Sequence, residues 1–431
     1  MKSNKNAIDM MEVLQKIAPL NRTLASKETD QALKVVQEYL PGSTIKGFTC
    51  GSKVWTWQIP MRWEVTKATI IADGKVLVDF DWHVLHLVNY SQSFSGTISK
   101  EELLEHLHSD PKHPEQIPFV FSFYEPKWGF CIPHSWMEKF TYDSYDIEIE
   151  TEFEQGDMNV LEYFLPGESQ ETIIFCNDIC HPSQANDSLT GLVAAMNIMS
   201  ELKKRTKRKY SYLFLAVPET IGSIAYLANN PDVIKNGIYG IVCEMLGTDG
   251  PLVGQQSRSN DYLNFIMQQV LNESGLIYST VPFLKSVGND EKSLDVQGVD
   301  IPTISITRYP YKEYHSSADN IDLICSKKLN EAKDIILGVV DYLEKDYCIQ
   351  MNHPGPVFLS GYDLYPDWRS DPKLEQYWLS FIDVMYGIND KQSIIELALL
   401  NEIPIENFFY WTDAFCLKNL ASQKPHVINK K

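Results

Sequence analysis

Apolar side chains recur at helical spacing over the first forty residues. They fall into two sets: Met10, Val13, Leu14 and Ile17, and then Ala32, Leu33, Val36 and Leu40. Residues three and four apart share one face of a helix, so this pattern predicts two amphipathic helices. Pro19 marks the break between them, and Pro41-Gly42 ends the second helix.

The next hundred residues have a different pattern, with short runs rich in Val, Ile, Thr and Trp. Two examples are residues 54–59 and 68–71, and the turn sequence Ala-Asp-Gly-Lys at 72–75 follows the second run directly. Short runs of this composition, separated by tight turns, are typical of β-hairpins. We therefore predict a β-rich inserted domain over residues 47–142.

Predicted strands and helices alternate over residues 143–350. The strands are 145–153, 159–164, 172–177, 211–217, 238–243 and 304–307, and the helices are 189–202, 224–229, 261–273 and 329–343. Strands separated by helices indicate a sheet covered on both faces. The fold class predicted is α/β, with a doubly wound, mostly parallel sheet built from residues 1–46 and 143–350. Ligands in such folds bind beyond the carboxyl ends of the strands.

A third unit is predicted over residues 351–431. Its helices are 377–386, 393–400 and 404–420, and the last two form a helix–turn–helix that resembles a winged helix. The unit contains seven Lys and Arg against ten acids, a net charge of 7 − 10 = −3. That charge opposes DNA binding, so we expect the unit to dock on protein or within its own chain.

The charge of the whole chain limits its partners. Lys and Arg number 38 against 57 Asp and Glu, a formal charge of −19. We therefore expect no nucleic acid and no membrane as partner. No apolar run approaches the ~20 residues of a membrane helix, and none of signal-peptide length opens the chain. Eight Cys without a paired pattern predict reduced thiols and a cytoplasmic location. The oligomeric state stays open, with a homo-oligomer possible.

The most informative polar segment is CHPSQANDSLTG, at residues 180–191. It lies between a predicted strand and a predicted helix, where a site belongs in this fold. His181 offers an imidazole nitrogen and Asp187 a carboxylate oxygen, both of which zinc binds. Taken alone, the pair is also explained by a capped turn with Asp187 at the helix N-terminus.

Three further segments place polar side chains after strands of the same region. They are PETIGS with Glu219, CEMLG with Glu244, and EYHSSADN with His315. Singly, each has a structural explanation; Glu219, for example, could complement a helix dipole. Because all four segments leave strands of one predicted sheet, we expect the two histidines, Asp187 and Glu244 to converge at a shared metal site.

In order and context, these segments resemble the co-catalytic zinc aminopeptidases, the bacterial leucyl aminopeptidase-like metallopeptidases. They are most similar to a bacterial subgroup of aminopeptidase-like proteins linked with polysaccharide biosynthesis. The resemblance rests on HPSQANDSLTG, PETIGS and EYHSSADN, and on WGFCIPHSW at 128–136 in the insert. It covers nearly the whole chain, including a C-terminal winged helix, and implies a zinc-peptidase-like core.

The resemblance assigns ligands residue by residue. His181, Asp187 and Glu244 match the ligands of one zinc ion. Asp187 matches the bridging carboxylate, and His315 matches a further ligand of the second zinc ion.

The segment PETIGS departs from the family pattern. Glu219 matches the general base, but Thr220 stands where the family has a second, metal-binding Glu. We therefore expect one tightly held zinc and a second site that is weak or empty. A shift of one position would make Glu219 the ligand and leave Pro218 in the base position. The spacing to Gly222 favours Glu219 as the base.

Other residues could support the site. Trp128, Phe130 and His134 of the insert are candidates to line a substrate cleft, or they form an aromatic cluster that packs the insert. Asp178 and Asp319 could orient the ligand imidazoles. They could equally accept local backbone hydrogen bonds.

These assignments predict a zinc-dependent hydrolase, an aminopeptidase that acts on a peptide or small amide. An amidohydrolase acting on an acylated amino sugar would need the same metal chemistry. A degenerate peptidase that binds a peptide or glycan without turnover is another alternative, which Thr220 favours. A transcriptional regulator that senses a ligand through the core is a third, and the net charge of residues 351–431 weakens it.

Overall fold

The computed structural model describes residues 8–367, 369, 372–388 and 391–426. The chain divides into two compact units. One comprises Met1–Ser259 and Leu271–Leu337, and the other comprises Asn260–Val270 and Gly338–Lys431. Among the described residues, no helix is both long enough and apolar enough to cross a membrane.

Two helices open the first unit, α1 (Met10–Ile17) and α2 (Lys27–Tyr39). Asp9 caps α1 and Ser26 caps α2, because each side chain accepts backbone N–H groups of the first helical turn. The apolar positions of α1 that the spacing indicates are buried. The prediction of two amphipathic helices is confirmed.

The following segment is rich in β-structure, as predicted. Its elements are β1 (Thr44–Thr49), β2 (Lys53–Val54), β3 (Trp57–Gln58), β4 (Arg62–Ala72), β5 (Lys75–Asp79), β6 (Phe94–Ser99), α3 (Lys100–Glu105), β7 (Leu107–His108), β8 (Phe130–Cys131) and β9 (Ser144–Glu154), with 3₁₀ helices Val84–His86 and His134–Lys139. Four strands form an antiparallel sheet of order β5-β4-β9-β6. Because β9 belongs to this sheet, the sheet extends past residue 142. The three domain boundaries stay predictions.

His83 begins the 3₁₀ helix Val84–His86, and its Nδ1 accepts the backbone N–H of Leu85 at 3.1 Å. Burial, and to a lesser extent the neighbouring His86, lower the pKa of His83 from 6.5 to about 4. Between these pKa values the unfolded chain binds more protons than the folded protein. We therefore expect His83 to destabilise the fold by about 2 kcal/mol as the pH falls from about 7 to about 5.

The variant His83→Gln tests this expectation, because glutamine keeps an acceptor but does not titrate. Urea unfolding at both pH values should show a smaller loss of unfolding free energy in this variant than in the parent. His113→Gln, at a half-exposed histidine of the insert, controls for removing an imidazole. Equal losses in parent and His83→Gln would contradict the expectation.

The central region contains seven strands and six helices among its described residues. The strands are β10 (Asp157–Leu165), β11 (Thr172–Asp178), β12 (Ser211–Val217), β13 (Gly237–Cys243), β14 (Leu252–Gln255), β15 (Tyr278–Val281) and β16 (Thr303–Thr307). The helices are α4 (Leu189–Lys204), α5 (Ile221–Asn229), α6 (Pro231–Asn236), α7 (Asp261–Glu273), α8 (Glu291–Leu294) and α9 (Ser326–Lys345), with a 3₁₀ helix at Ile321–Leu323.

Eight strands form one mixed sheet of order β1-β10-β12-β11-β13-β16-β14-β15. The central strands β12, β11, β13 and β16 are parallel, but β1–β10, β10–β12 and β14–β16 are antiparallel pairs. The edge pair β14–β15 is parallel as well, so the described residues of this sheet form four parallel and three antiparallel pairs. The predicted α/β class is confirmed, and the sheet is mixed. Residues 244–251 explain one reversal, because a connection this short cannot carry a crossover between parallel strands.

Every residue of β11, β12 and β13 is buried, so the sheet is covered on both faces. Alternate side chains such as Ile174 and Leu215 pack in one core with α5 and the insert. Helix α4 packs across the same three strands and contacts α1. Loops at the carboxyl ends of these strands therefore begin inside the molecule.

The second unit contains a helix–turn–helix and a two-stranded sheet. Its elements after α9 are β17 (Cys348–Met351), a 3₁₀ helix Leu359–Gly361, α10 (Pro372–Gly387), α11 (Ile394–Leu400), α12 (Ile405–Leu417) and β18 (Ala421–Lys424). Strands β17 and β18 are antiparallel, and α11 packs against α12. Ser393 and Glu396 form a capping box that starts α11. The winged-helix assignment stays a prediction.

Candidate metal centre

The loop after β11 carries His181 and is held in place by hydrogen bonds from Arg22. The Arg22 guanidinium is fully buried. Its acceptors among the described residues are backbone carbonyls, those of Ile17, Ala18, Ile179, His181 and Gln184. Burial lowers the pKa of Arg22 to about 10, so the side chain stays charged at neutral pH. Arg22 therefore fixes this loop to the end of α1.

Asp319 holds the second half of the same loop. Its carboxylate accepts the backbone N–H groups of Ala185 (3.2 Å), Asn186 (2.6 Å) and Asp187 (3.0 Å). The Tyr311 hydroxyl donates to it at 2.5 Å. Burial and the charge of Asp187 raise the pKa of Asp319 to about 6. Asp319 thus makes backbone hydrogen bonds to residues 132–134 positions away along the chain, and not the local ones of its alternative role.

His181, Asp187 and His315 converge at this point. Asp187 Oδ2 lies 3.1 Å from His315 Nε2 and 3.9 Å from His181 Nε2. One donor atom from each of the three side chains lies within 4.8 Å of the other two. Asp187 Oδ2 is buried and has no hydrogen-bond partner among the described residues. Two imidazole nitrogens and a free carboxylate oxygen form a donor set that zinc prefers.

The Asp178 carboxylate, at the end of β11, lies beside the His181 imidazole. Asp178 Oδ2 lies 3.2 Å from His181 Nδ1, while Ser188 donates to the other carboxylate oxygen. Burial alone would raise the pKa of Asp178, but the His181 imidazole and the hydrogen bonds from Ser188 and Asn289 together lower it. Burial likewise opposes protonation of His181, and Asp187 and Asp178 overcome it and raise the pKa of His181 to about 10. Asp178 therefore stands where a carboxylate fixes a ligand imidazole.

Glu244 lies beside this trio and not within it. Its Oε2 accepts a hydrogen bond from Asn289 at 2.7 Å, and the same Asn289 amide donates to Asp178 at 3.2 Å. Glu244 Oε1 is buried without a hydrogen-bond partner in the described part of the chain. The structure thus brings together three of the four predicted ligands and links the fourth through Asn289. The ligand roles stay predictions.

Glu219, two residues after β12, approaches the same Nε2 of His181 as Asp187 does. Its Oε2 is 3.7 Å from His181 Nε2, and its Oε1 is 3.7 Å from Lys292 Nζ. Burial raises the pKa of Glu219, and the charge of His181 opposes the increase. The position suits a base that faces a metal-activated water molecule. The role itself stays a prediction.

The electrostatics of the site favour a bound cation. Asp178, Asp187, Glu219, Glu244 and Asp319 lie in or around the trio. Glu291 repels Glu244, and Asp290 is repelled by Asp178 and Glu219. Burial and repulsion from neighbouring acids raise the pKa of Glu244 and of Asp290 well above the ordinary values. A divalent cation would relieve this repulsion, and the free oxygens of Asp187 and Glu244 could bind it. The residues present fit zinc.

The insert reaches the trio through Phe119. The Phe119 backbone N–H donates to the His315 carbonyl at 2.8 Å, and Ile117 hydrogen-bonds with Ser317. The Phe119 ring meets the rings of His181 and His315 edge-on, with centroids 5.7 and 5.3 Å apart. Phe119 therefore supplies an apolar wall beside both histidines. No sequence motif marks this residue.

The three insert residues predicted to line the cleft pack within the insert. Trp128 stacks between Phe94 and His106, with ring centroids 4.4 and 3.7 Å away. Phe130 is fully buried, and His134 Nδ1 lies 3.0 Å from the Ser109 hydroxyl. These contacts match the alternative of an aromatic cluster that packs the insert. A substrate role for the three residues stays a prediction.

The mixed α/β sheet is similar to the fold of known aminopeptidases. The fold is similar to that of a zinc aminopeptidase from Bacillus subtilis, with a TM-score of 0.56 and 11% identity over 78% of this chain and 95% of that chain. An aminopeptidase from Aneurinibacillus sp. strain AM-1 is also similar, with a TM-score of 0.52 and 13% identity over 79% and 94% of the two chains. At such identities the likeness concerns the fold alone.

The chain belongs to the family described as a domain of unknown function, DUF4910, which matches residues 11–346. A relative from Clostridium acetobutylicum named "Putative polysaccharide biosynthesis protein with aminopeptidase-like domain" is 29% identical over 348 residues, 80% of each chain. The crystal structure of a "putative peptidase" from Clostridium acetobutylicum has a TM-score of 0.84 and 26% identity over 96% of each chain. The family resemblance seen in the sequence motifs is confirmed.

Proposed function

We propose that this protein is a zinc-dependent hydrolase that removes N-terminal residues from peptides. The observation that carries the proposal is the convergence of His181, Asp187 and His315, with a buried oxygen of Asp187 left free between the two imidazoles. The aminopeptidase-like fold supports the reaction class. Glu219, next to the trio, supplies the base.

Each residue has a distinct role in this proposal. His181, Asp187 and His315 would hold the zinc ion, and Glu244 would add a carboxylate. The ion, when bound, supplies Lewis-acid activation of water and of the scissile carbonyl. Glu219 accepts the proton of the attacking water molecule and returns it to the leaving amine. Asp178 keeps the His181 imidazole in the orientation of a ligand.

An amidohydrolase acting on an acylated amino sugar is the second candidate. The name of the Clostridium acetobutylicum relative, which refers to polysaccharide biosynthesis, favours it. Both candidates use the same residues and differ in whether the substrate has a free amino terminus. The nature of the substrate therefore separates them.

Metal analysis and a substrate panel test the proposal together. The purified protein is expected to contain zinc and to cleave peptides with a free amino terminus, but not the same peptides after N-acetylation. Cleavage of N-acetylated amino sugars instead would establish the second candidate. Protein that binds no zinc and hydrolyses neither class would contradict both.

The number of zinc ions is a separate prediction. We expect a single tightly held zinc per chain, because Thr220 supplies no carboxylate where the second ion would need one. The variant Thr220→Glu should raise the affinity for a second zinc, as measured by titration with a competing chelator. Thr220→Gln has the same length without the charge and should not. Two tightly bound zinc ions in the unmodified protein would show that our interpretation of Thr220 is wrong.

A further inference from the structure

The turn that carries Glu219 is strained. Thr220 has φ 64° and ψ −64°, and the Ile221 N–H donates to the Glu219 carbonyl at 2.7 Å. This combination is a γ-turn with positive φ, a conformation that residues with a Cβ atom rarely adopt. Such strain persists only where the surrounding structure holds it.

Asp290, from a distant part of the chain, holds this turn. Its side chain is fully buried, and its Oδ1 accepts the backbone N–H of Thr220 at 3.0 Å. The Ser223 hydroxyl donates to the same oxygen and lies 2.8 Å from the Ser293 hydroxyl. One carboxylate oxygen thus binds the middle of the strained turn and the first turn of α5.

The contact has a direct consequence for Glu219. Strand β12 fixes the chain before Glu219, and α5 fixes the chain after Thr220. Without Asp290 the Thr220 N–H would lose the acceptor that it has among the described residues, within a largely buried turn. A buried N–H without an acceptor is unfavourable, so this peptide group would rotate toward an unstrained conformation. The rotation would move the Glu219 carboxylate away from His181.

We propose that Asp290 is a positioning residue, which holds the strained turn at Thr220 so that the Glu219 carboxylate stays beside His181. This inference rests on the proposed function, because it takes Glu219 as the base. It assigns Asp290 no contact with the substrate or the metal ion. Its effect should therefore appear in kcat, with KM and zinc content unchanged.

Asp290→Ala tests the proposal. We expect kcat to fall about 10²-fold, the cost of misplacing a reacting group by about 1 Å. The decisive comparison repeats the substitution in a Thr220→Gly background, because glycine adopts positive φ without strain. There the loss caused by Asp290→Ala should shrink to about threefold or less, which shows that the two residues are coupled. If Asp290 only stabilised the fold, Asp290→Ala would lower kcat by the same factor in both backgrounds.

Asp295→Ala is the matched control. Asp295 is a buried carboxylate near Asp290 in the sequence, but it accepts hydrogen bonds from Ser257 and from the Arg258 backbone. Its removal should lower the melting temperature and leave kcat per folded molecule unchanged. Should Asp290→Ala fail to fold, Ser223→Ala removes the hydroxyl that supports Asp290. That variant should show a smaller loss of kcat, again reduced in the Thr220→Gly background.

The outcomes separate this inference from the proposed function. Full kcat in Asp290→Ala, or equal losses in the two backgrounds, would overturn the positioning role while Glu219→Gln remains inactive. Full activity of Glu219→Gln would overturn the proposed base and the positioning role together. A large loss in the parent background that the Thr220→Gly background relieves would establish both.

Discussion

Glu219→Gln is expected to remove most turnover and to leave the zinc in place. Glutamine has the same shape but cannot accept a proton, and a positioned general base typically contributes about 10²–10⁴-fold to the rate. The zinc should remain because Glu219 lies outside the trio of His181, Asp187 and His315. The measurement is kcat/KM on a peptide with a free amino terminus, alongside zinc content per chain.

The controls make the result specific to this position. Glu38→Gln makes the same chemical change on the exposed face of α2 and should match the parent in both measurements. Loss of zinc from Glu219→Gln would identify Glu219 as a ligand. Unchanged turnover would remove Glu219 from the mechanism.

Gly191→Ala is expected to destabilise the first unit by about 3–5 kcal/mol and to disrupt the metal centre. A Cβ atom on Gly191 would lie 1.7 Å from the Cys243 carbonyl oxygen and 2.7 Å from the Glu244 backbone nitrogen. These neighbours are backbone atoms at the end of β13 and cannot rotate away. The start of α4 would have to move from β13, which would separate Asp187 from Glu244. Chemical denaturation and zinc affinity measure the two effects.

Gly387→Ala is the matched control for that experiment. Gly387 ends α10, and a Cβ atom there would meet no heavy atom within 4 Å. Alanine also favours the helical conformation, so the control should be neutral or slightly stabilising. Gly191→Ala protein with parental stability and zinc affinity would contradict the close approach of α4 and β13.

The buried strands were the most predictable part of the fold. Predicted strand 211–217 coincides with β12, and 172–177 differs from β11 by one residue. Strands covered on both faces are continuous apolar runs, which composition alone indicates. Strand direction at the sheet edges was not predictable in this way. It depends on the route of the connecting segments, such as 244–251.

The centre was predictable only where a motif marked it. The segments around His181 and His315 stand out because polar residues follow apolar strands. Arg22 and Asn289 carry no such signal, because their roles exist only through contacts with distant residues. Arg22, for example, donates to a carbonyl 159 positions away. The polar run Asn-Asp-Glu at 289–291 is typical of an exposed turn, yet all three side chains are buried.

A shortened chain beginning after residue 22 would keep every proposed zinc ligand and still lose the centre. The carbonyls of Ile179, His181 and Gln184 would each lack the donor that Arg22 provides. Buried carbonyls without donors raise the free energy of the folded state. The loop would therefore rearrange to bond other donors, and His181 would move with it. Recombinant fragments that are meant to retain metal must therefore include Arg22 and the end of α1 to which it is bonded, although neither supplies a proposed ligand.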